Sequence, residues 1–156
     1  MSAFATTKKI LTSLHGRLFG LSKDKKLVLF GKTALFQDDQ GAVVQLQGAP
    51  VAVDATATLT IADLLAGIIT STTAAAVAGT VPTGTLTDGG FTGDNALAVG
   101  EGFAWSVINT GGANAFTVTA GTDHTLVGAG AVAASTSGRF FTRKTAANTF
   151  VTYRLA

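Results

Sequence analysis

The stretch Phe103-Ala-Trp-Ser-Val-Ile-Asn109 carries the clearest indication of the fold. Large apolar side chains occupy every second position from Phe103 to Val107, and small or aliphatic side chains fill most positions between them. A repeat of two residues is the repeat of a β-strand, and apolar residues at both parities predict a strand that is buried on both faces. The sequence around this stretch is therefore expected to form a sheet.

The same alternation continues toward the C-terminus. Phe116 and Val118 alternate with threonines, Thr125 to Val127 is a short run, and Gly138–Lys144 with Asn148–Leu155 is predicted to form a final hairpin. Turns rich in Gly and Asn separate these runs. Several short strands with turn signals between them are typical of a β-sandwich or barrel.

One short helix is expected among the strands. Thr60 and Asp63 have the spacing of a capping box, so Ile61 to Ala66 is predicted to form about one and a half turns that end at Gly67. Residues 82–102 contain seven Gly or Pro residues and are predicted to be a long loop.

The first 48 residues differ from the rest. Residues 1–22 are predicted to be an arm in which a short apolar helical stripe lies beside basic side chains. These residues are Lys8, Lys9, Ile10, Leu11, Leu14, Arg17 and Leu18. Residues 23–48 are predicted to be a β-meander, and residues 49–156 the main domain. The expected fold class is all-β: a β-sandwich or barrel of short antiparallel strands with one short helix, preceded by the arm and the meander.

The composition predicts an oligomer. Ala, Thr and Gly supply 71 of the 156 residues, and Asp, Glu, Lys and Arg supply 13%, about half of the usual charged fraction. Because 47% of the residues are hydrophobic, an isolated copy would expose wide apolar or neutral patches, which usually mark interfaces.

Charge is segregated along the chain. Residues 1–32 carry seven bases and one acid, residues 33–138 carry eight acids and no base, and residues 139–156 carry four bases and no acid. The basic arm fits either nucleic acid phosphates or an acidic protein surface. Only Phe19 and Phe30 lie near it as candidates for base stacking, so docking on a protein is favoured and no nucleic acid partner is expected.

Residues for catalysis or metal binding are scarce and scattered. Asp123-His124 fits a solvated turn pair better than part of a catalytic triad, and Asp38-Asp39 fits a turn better than half of a calcium site. The Gly-rich segment at 128–133 lacks the helix and the later acid that a dinucleotide fingerprint requires. The chain has one Glu and no Cys. We therefore expect no enzyme activity, no cofactor and no metal site.

Membrane and export signals are weak. The uncharged stretch Leu64–Val81 is long enough to be considered as a membrane span, but it contains several threonines and two glycines and lacks flanking bases. A buried strand followed by a turn is expected instead, with no membrane partner. Polar residues interrupt the stretch after Lys8-Lys9, so no cleaved signal peptide is expected.

Several segments of residues 50–156 together resemble the Thr- and Ala-rich strand pattern of small capsid decoration (cement) proteins of tailed bacteriophages. The segments are Ala57–Ala76, Thr80–Gly84, Val99–Asn109, Thr125–Gly128, Ser137–Phe140 and Tyr153–Leu155. The resemblance is carried by a pattern of low-complexity strands and does not extend clearly to residues 1–48.

This resemblance implies a non-enzymatic, mostly β protein that is commonly a homotrimer on the exterior of the virion capsid, made in the cytoplasm of the host bacterium. Such proteins bridge neighbouring major capsid subunits and resist the outward pressure of packaged DNA. The implied partners are the major capsid protein and other copies of the chain. The arm residues given above are the expected capsid contacts.

Two other functions stay open. The alternative is a receptor- or glycan-binding knob or fibre protein, for which Trp105 and Tyr153 are the large aromatic platforms with a polar group, although both are expected in the strand core. The third is a nucleic-acid-binding module that uses the basic arm.

Overall fold

A computed structural model describes residues 26–30, 33–37, 43–44, 47–93 and 96–156. It divides the chain into two compact units, Met1–Leu46 and Gln47–Ala156. The described residues of the first unit form one antiparallel sheet in the order β1-β2-β3. Its strands are β1 (Lys26–Phe30), β2 (Thr33–Gln37) and β3 (Val43–Val44).

The second unit, Gln47–Ala156, is built mainly from strands. They are β4 (Val51–Ala52), β5 (Ala57–Thr58), β6 (Ile68–Ser71), β7 (Val77–Thr80), β8 (Gly102–Asn109), β9 (Phe116–Thr119), β10 (His124–Val127), β11 (Ala131–Val132), β12 (Thr136–Ala146) and β13 (Thr149–Arg154). Two short helices accompany them, α1 (Ile61–Leu65) and α2 (Gly84–Gly89). Strands make up 44% of the structure, which confirms a mostly β chain. No helix in the described ranges combines the length and the apolar character needed to cross a membrane.

The strands form two mixed sheets. One has six strands in the order β10-β13-β12-β8-β6-β4, and the other has four in the order β11-β9-β7-β5. From β4 to β9, successive strands alternate between the two sheets, and each strand pairs in parallel with the strand two places earlier. Antiparallel pairing is restricted to β8 with β12, β12 with β13, and β9 with β11 among the strands of this unit.

The prediction of antiparallel strands is therefore wrong for the first half of the second unit. A repeat of two residues shows that a segment is extended but carries no information about the direction of its neighbour. The chain leaves one sheet, contributes a strand to the other, and returns beside its earlier strand in the same direction. This route supplies the long crossover that a parallel pair requires, and each crossover contains a strand of the other sheet as well as a short helix.

Both sheets contribute to one core. The six-stranded sheet supplies Ile69, Trp105 and Phe140, and the four-stranded sheet supplies Phe116 and Val118, all at most 1% exposed. The Trp105 and Phe140 rings stack with their centroids 4.7 Å apart. Burial of this apolar surface is the main term that stabilises the unit.

Strand β8 is buried on one face only. Trp105 and Val107 point into the core, whereas Ala104 and Ile108 are exposed on the opposite side. The prediction of a strand buried on both faces is wrong, because no second layer of the unit covers that side of β8 in the described residues.

The sequence predicts the first of the two helices but not the second. Helix α1 has the predicted capping box, with Thr60 Oγ1 accepting from the Asp63 N–H and Asp63 Oδ2 accepting from the Thr60 N–H. Helix α2 replaces part of the predicted loop. Its Thr83 cap accepts from the Leu86 N–H, but an apolar residue at that third position leaves no reciprocal bond, and its terminal glycines lower helix propensity.

We expect Gly84→Ala to destabilise the unit, because a Cβ at residue 84 would lie 1.8 Å from the Asn148 carbonyl oxygen. The backbone must move to relieve this contact, and overpacking of this kind costs about 1–3 kcal/mol. Gly89 lies in the same helix with no atom within 4 Å of an added Cβ, so Gly89→Ala is the matched control and should keep or slightly raise stability. Urea denaturation midpoints measure both, and equal midpoints would contradict the prediction.

Candidate binding surface

The arm residues predicted to contact a capsid lie outside the described residues. They are Lys8, Lys9, Ile10, Leu11, Leu14, Arg17 and Leu18. Their role stays a prediction. The candidate surface is therefore derived from the second unit alone.

The pair Asp123-His124 is divided between surface and core. Asp123 is exposed in a turn with φ of 56°, a backbone region that Asp tolerates better than most residues. His124 starts β10 and is 6% exposed, with its ring centroid 6.0 Å from that of Phe150. The prediction of a solvated turn pair is wrong for His124, because the first position of β10 faces the core.

His124 belongs to a buried chain of hydrogen bonds across four neighbouring strands. Trp105 Nε1 donates to Thr142 Oγ1 over 3.0 Å, and Thr142 Oγ1 lies 2.8 Å from Thr152 Oγ1. Thr152 Oγ1 lies 2.7 Å from His124 Nε2, and His124 Nδ1 lies 3.3 Å from the Pro82 carbonyl oxygen. The chain begins at an indole N–H, which can only donate, and ends at a carbonyl, which can only accept.

These two ends fix the direction of every bond between them. Thr142 accepts from the indole and donates to Thr152, which donates to Nε2 of a neutral His124, and Nδ1–H donates to Pro82. A protonated imidazole would donate from both nitrogens, so the hydroxyl of Thr152 would have to turn toward Thr142 and one O–H would lose its acceptor. Burial lowers the pKa of His124, and the hydrogen bond to the Pro82 carbonyl opposes that shift. The network therefore serves the fold with a neutral histidine.

Thr142→Val should destabilise the unit, because it leaves the Trp105 N–H without an acceptor and Thr152 without a donor. The cost of unsatisfied buried groups of this kind is about 1–3 kcal/mol. Thr58→Val on edge strand β5 is the matched control, since Thr58 is exposed, and it should change stability by no more than about 0.5 kcal/mol. Chemical denaturation of the two variants gives the comparison, and equal stabilities would refute this account of the network.

Stability should fall as the pH is lowered below about 6.5, the ordinary pKa of His. The unfolded chain then binds a proton that the folded chain, with its lowered His124 pKa, does not bind. The loss per pH unit is bounded by about 1.4 kcal/mol, the limit for one proton, and it ends below the folded pKa. The loss of stability begins above the pH range in which ordinary carboxylates titrate.

Thermal melts from pH 7.5 to pH 5.5 test this effect. His124→Gln should flatten the dependence of the melting temperature on pH. His15→Gln changes the other histidine of the chain and is the control, which should leave that dependence unchanged. A profile that stays steep in His124→Gln would assign the pH dependence to another group.

Most described carboxylates are engaged in the fold. Asp54 accepts from the backbone N–H of Thr72 over 2.6 Å and from the Thr72 hydroxyl, and the Thr72 backbone bond is the largest cause that lowers the pKa of Asp54. Asp88 Oδ1 lies 2.6 Å from Lys144 Nζ, and this contact lowers the pKa of Asp88. The described ranges contain no group of three or more His, Cys, Asp or Glu side chains that could hold a metal ion.

The Asp88–Lys144 pair ties helix α2 to the end of the β12–β13 hairpin. Lys144 Nζ also donates to the Leu97 carbonyl over 3.1 Å, and Asp88 Oδ2 accepts from the Asn148 N–H over 3.0 Å. Both side chains are largely buried. This largely buried ion pair therefore stabilises the contact between α2 and the hairpin and does not form an accessible binding site.

The six-stranded sheet has a second side, opposite the core, which we call the outer face. Large apolar side chains on it alternate along their strands with core residues. They are Ile68, Ile108, Val127, Phe141, Val151 and Tyr153, together with Leu155, which follows β13 directly. One row crosses the sheet, with Tyr153 opposite Val127 on one side and opposite Phe141 on the other, and with Phe141 opposite Ala104.

The two aromatic platforms are thus on different sides of the sheet. Trp105 is 1% exposed in the core, as predicted, but Tyr153 is half-buried on the outer face. The prediction that Tyr153 lies in the core is wrong. The alternation in β13 does indicate that Tyr153 and Thr152 point in opposite directions, but not which of them faces the core.

Two cations on the outer face have no partner among the described residues. The side chains of Arg139 and Arg143 flank Phe141 along β12, and neither makes an ion pair or hydrogen bond with another described residue. Arg154, by contrast, lies 5.1 Å from the Phe140 ring centroid and donates to the carbonyls of Ala131 and Ala156.

Among the described carboxylates, that of Asp123 makes no hydrogen bond or ion pair with another described residue. Asp123 precedes β10, the edge strand of the same sheet. Sequence reasoning did not identify this set of unpaired charges, because the alternation in β12 does not show that Arg139 and Arg143 lack acidic neighbours.

A shallow depression of about 420 Å³ lies at the end of the sheet where β8 meets the start of β12. It is lined by Ile108, Asn109, Thr110, Ser135, Thr136 and Ser137. The Thr110 and Thr136 hydroxyls already donate to backbone carbonyls of Ser71 and Ala133. The depression therefore offers few free donors to a ligand.

No protein family, curated protein or solved structure matches this chain.

Proposed function

We propose that the chain is a structural virion protein that binds the outer surface of a capsid and stabilises the lattice by bridging major capsid subunits as a homotrimer. The observation that carries the proposal is the distribution of functional groups in the second unit. Polar and charged side chains with close partners serve the fold, whereas the accessible outer face is apolar, aromatic and cationic. A surface of this composition suits contact with a protein.

The architecture supports a role in resisting mechanical stress. Six- and four-stranded sheets share one core, and we propose that they form the β-sandwich expected from the sequence. The parallel pairs from β4 to β9 and the antiparallel pair of β8 with β12 join residues that are far apart in the sequence. Segments with many buried apolar contacts open least readily, and these strands share such a core.

The basic arm is proposed as the capsid anchor. Its apolar stripe and its lysines suit a segment that becomes ordered on an acidic partner surface. The second unit itself carries four bases and six acids, a formal charge of −2, so nonspecific binding of this unit to nucleic acid phosphates is disfavoured.

A receptor- or glycan-binding protein is the second candidate, because Tyr153 and Phe141 are neighbours on the outer face and could stack on sugar rings. The depression beside Ile108 adds little to this function, since two of its hydroxyls are already engaged. A capsid-bound homotrimer accounts for the arm as the capsid anchor and for the outer face as a protein contact, and we therefore prefer it.

Purified protein should bind capsids that lack it, and the binding should saturate at a fixed number of copies per capsid. The apolar and charged contacts of the arm are the reason to expect specific sites, so a chain without residues 1–22 should bind more weakly. Lys8→Glu with Lys9→Glu should slow association more than it speeds dissociation, and high salt should reduce that difference. Quantitative cosedimentation gives the stoichiometry, and surface plasmon resonance on immobilised capsids gives the rates.

Two controls define the outcomes. Lys23→Glu with Lys25→Glu changes the same charge outside the arm and should affect association less. Absence of saturable binding by the intact chain would refute the capsid function, and binding to a glycan array would then support the second candidate. Unchanged affinity of the truncated chain would remove only the assignment of the arm.

A further inference from the structure

We propose that the outer face of the six-stranded sheet is the surface through which copies of this chain associate, with the Arg139–Phe141–Arg143 row of one copy against Asp123 of another. This inference deepens the proposed homotrimer and rests on the proposed function for the number of copies. The surface itself is derived from the positions of unpaired charges and exposed apolar groups.

Several apolar side chains of the outer face are exposed to solvent in a single copy of the chain. Ile108, Val127 and Leu155 are 36%, 46% and 55% exposed, and they are three of the six large hydrophobic residues that are most exposed in the described ranges. Six strands at about 4.8 Å and four rows of side chains about 6.6 Å apart cover roughly 480 Å². The largest apolar patch of a typical monomer measures about 300–600 Å² and is often functional, so a face of this size with exposed apolar side chains is a candidate interface.

This area falls short of a complete interface. A stable interface buries about 800 Å² on each partner, so the sheet face supplies somewhat more than half of one side. The remaining contacts must come from its borders. The turn that holds Asp123 lies at one border, because it leads into edge strand β10.

The charges at these positions complement one another. Arg139 and Arg143 are the cations of the second unit without a described partner, and Asp123 is the carboxylate without one. Arg beside aromatic residues is the composition of interface hot spots, and a carboxylate can pair with it through two hydrogen bonds. A second copy brings the Asp123 carboxylate to the two arginines, so one contact supplies a partner to charges of both signs.

A second copy is favoured over other occupants of the face. Phosphates would approach a unit with a formal charge of −2, and two arginines are few for a backbone-tracking groove. An unrelated acidic protein would neutralise the arginines but would leave Asp123 unpaired. Self-association also agrees with the low charge and high hydrophobic content of the whole chain.

Charge reversal and charge exchange in the full-length chain test the proposal. Arg139→Glu and Arg143→Glu should each raise the dissociation constant of the oligomer about tenfold or more, because they place two carboxylates in contact. Asp123→Asn, which suits the positive φ of residue 123, should weaken association less than either reversal. Asp123→Lys should restore association of at least one Arg→Glu variant. Sedimentation velocity over a concentration series measures all of these constants.

The matched control separates pairing from net charge. Arg143→Glu with Asp123→Lys leaves the charge of the chain unchanged, and so does Arg143→Glu with Thr85→Arg and Leu86→Arg, two exposed positions in helix α2. Only the first combination should restore association. Circular dichroism and melting temperature identify any variant that fails to fold, and Arg143→Gln then replaces the reversal.

The proposal is overturned if the intact chain stays monomeric at high micromolar concentration, if neither reversal weakens the oligomer, or if Asp123→Lys rescues neither variant. An oligomer of another size that depends on these residues would support the surface and contradict the homotrimer. Loss of capsid binding with intact self-association would bear on the proposed function alone.

Discussion

A single core to which both sheets contribute is the constraint on which the rest of the structure depends. Each strand of the six-stranded sheet has one face in that core and one face away from it. Every polar group on the inner face must find a partner inside the protein, since water does not reach it. The outer face has no such requirement, because it stays in contact with solvent or a partner.

The inner face meets this requirement with few groups. Two threonine hydroxyls connect an indole donor to a histidine acceptor, so one chain of bonds satisfies residues of four strands. No buried polar side-chain atom in the described residues lacks a partner. The same two strands, β12 and β13, carry Arg154 over a core ring and Arg139 on the outer face. Position within the alternation therefore decides whether an arginine stabilises the fold or remains available for binding.

The sequence predicted the parts of the fold that depend on local physics. The alternation from Phe103 and the capping residues Thr60 and Asp63 identify a strand and a helix correctly, because each is set by neighbouring residues. The sequence did not predict the parallel pairing of β4, β6 and β8 or the burial of His124, since these depend on which distant segment lies alongside. The unpaired state of Arg139 and Arg143 is of the same kind. Whether these charges are paired depends on the residues of neighbouring strands and not on the sequence of β12 alone.

The small residues of the chain explain how strands can cross between sheets at such short intervals. Gly79 lies where an added Cβ would meet the Phe116 ring at 2.5 Å, and Gly111 and Gly121 lie where one would meet the carbonyl oxygens of Thr73 and Val81 at 2.0 and 2.5 Å. Close approach of segments two strands apart in the chain requires glycine at these contacts. A chain that uses so many small residues has few long side chains with which to cover its own sheets. The exposed outer face is thus a consequence of the same composition that permits the close approach of the strands.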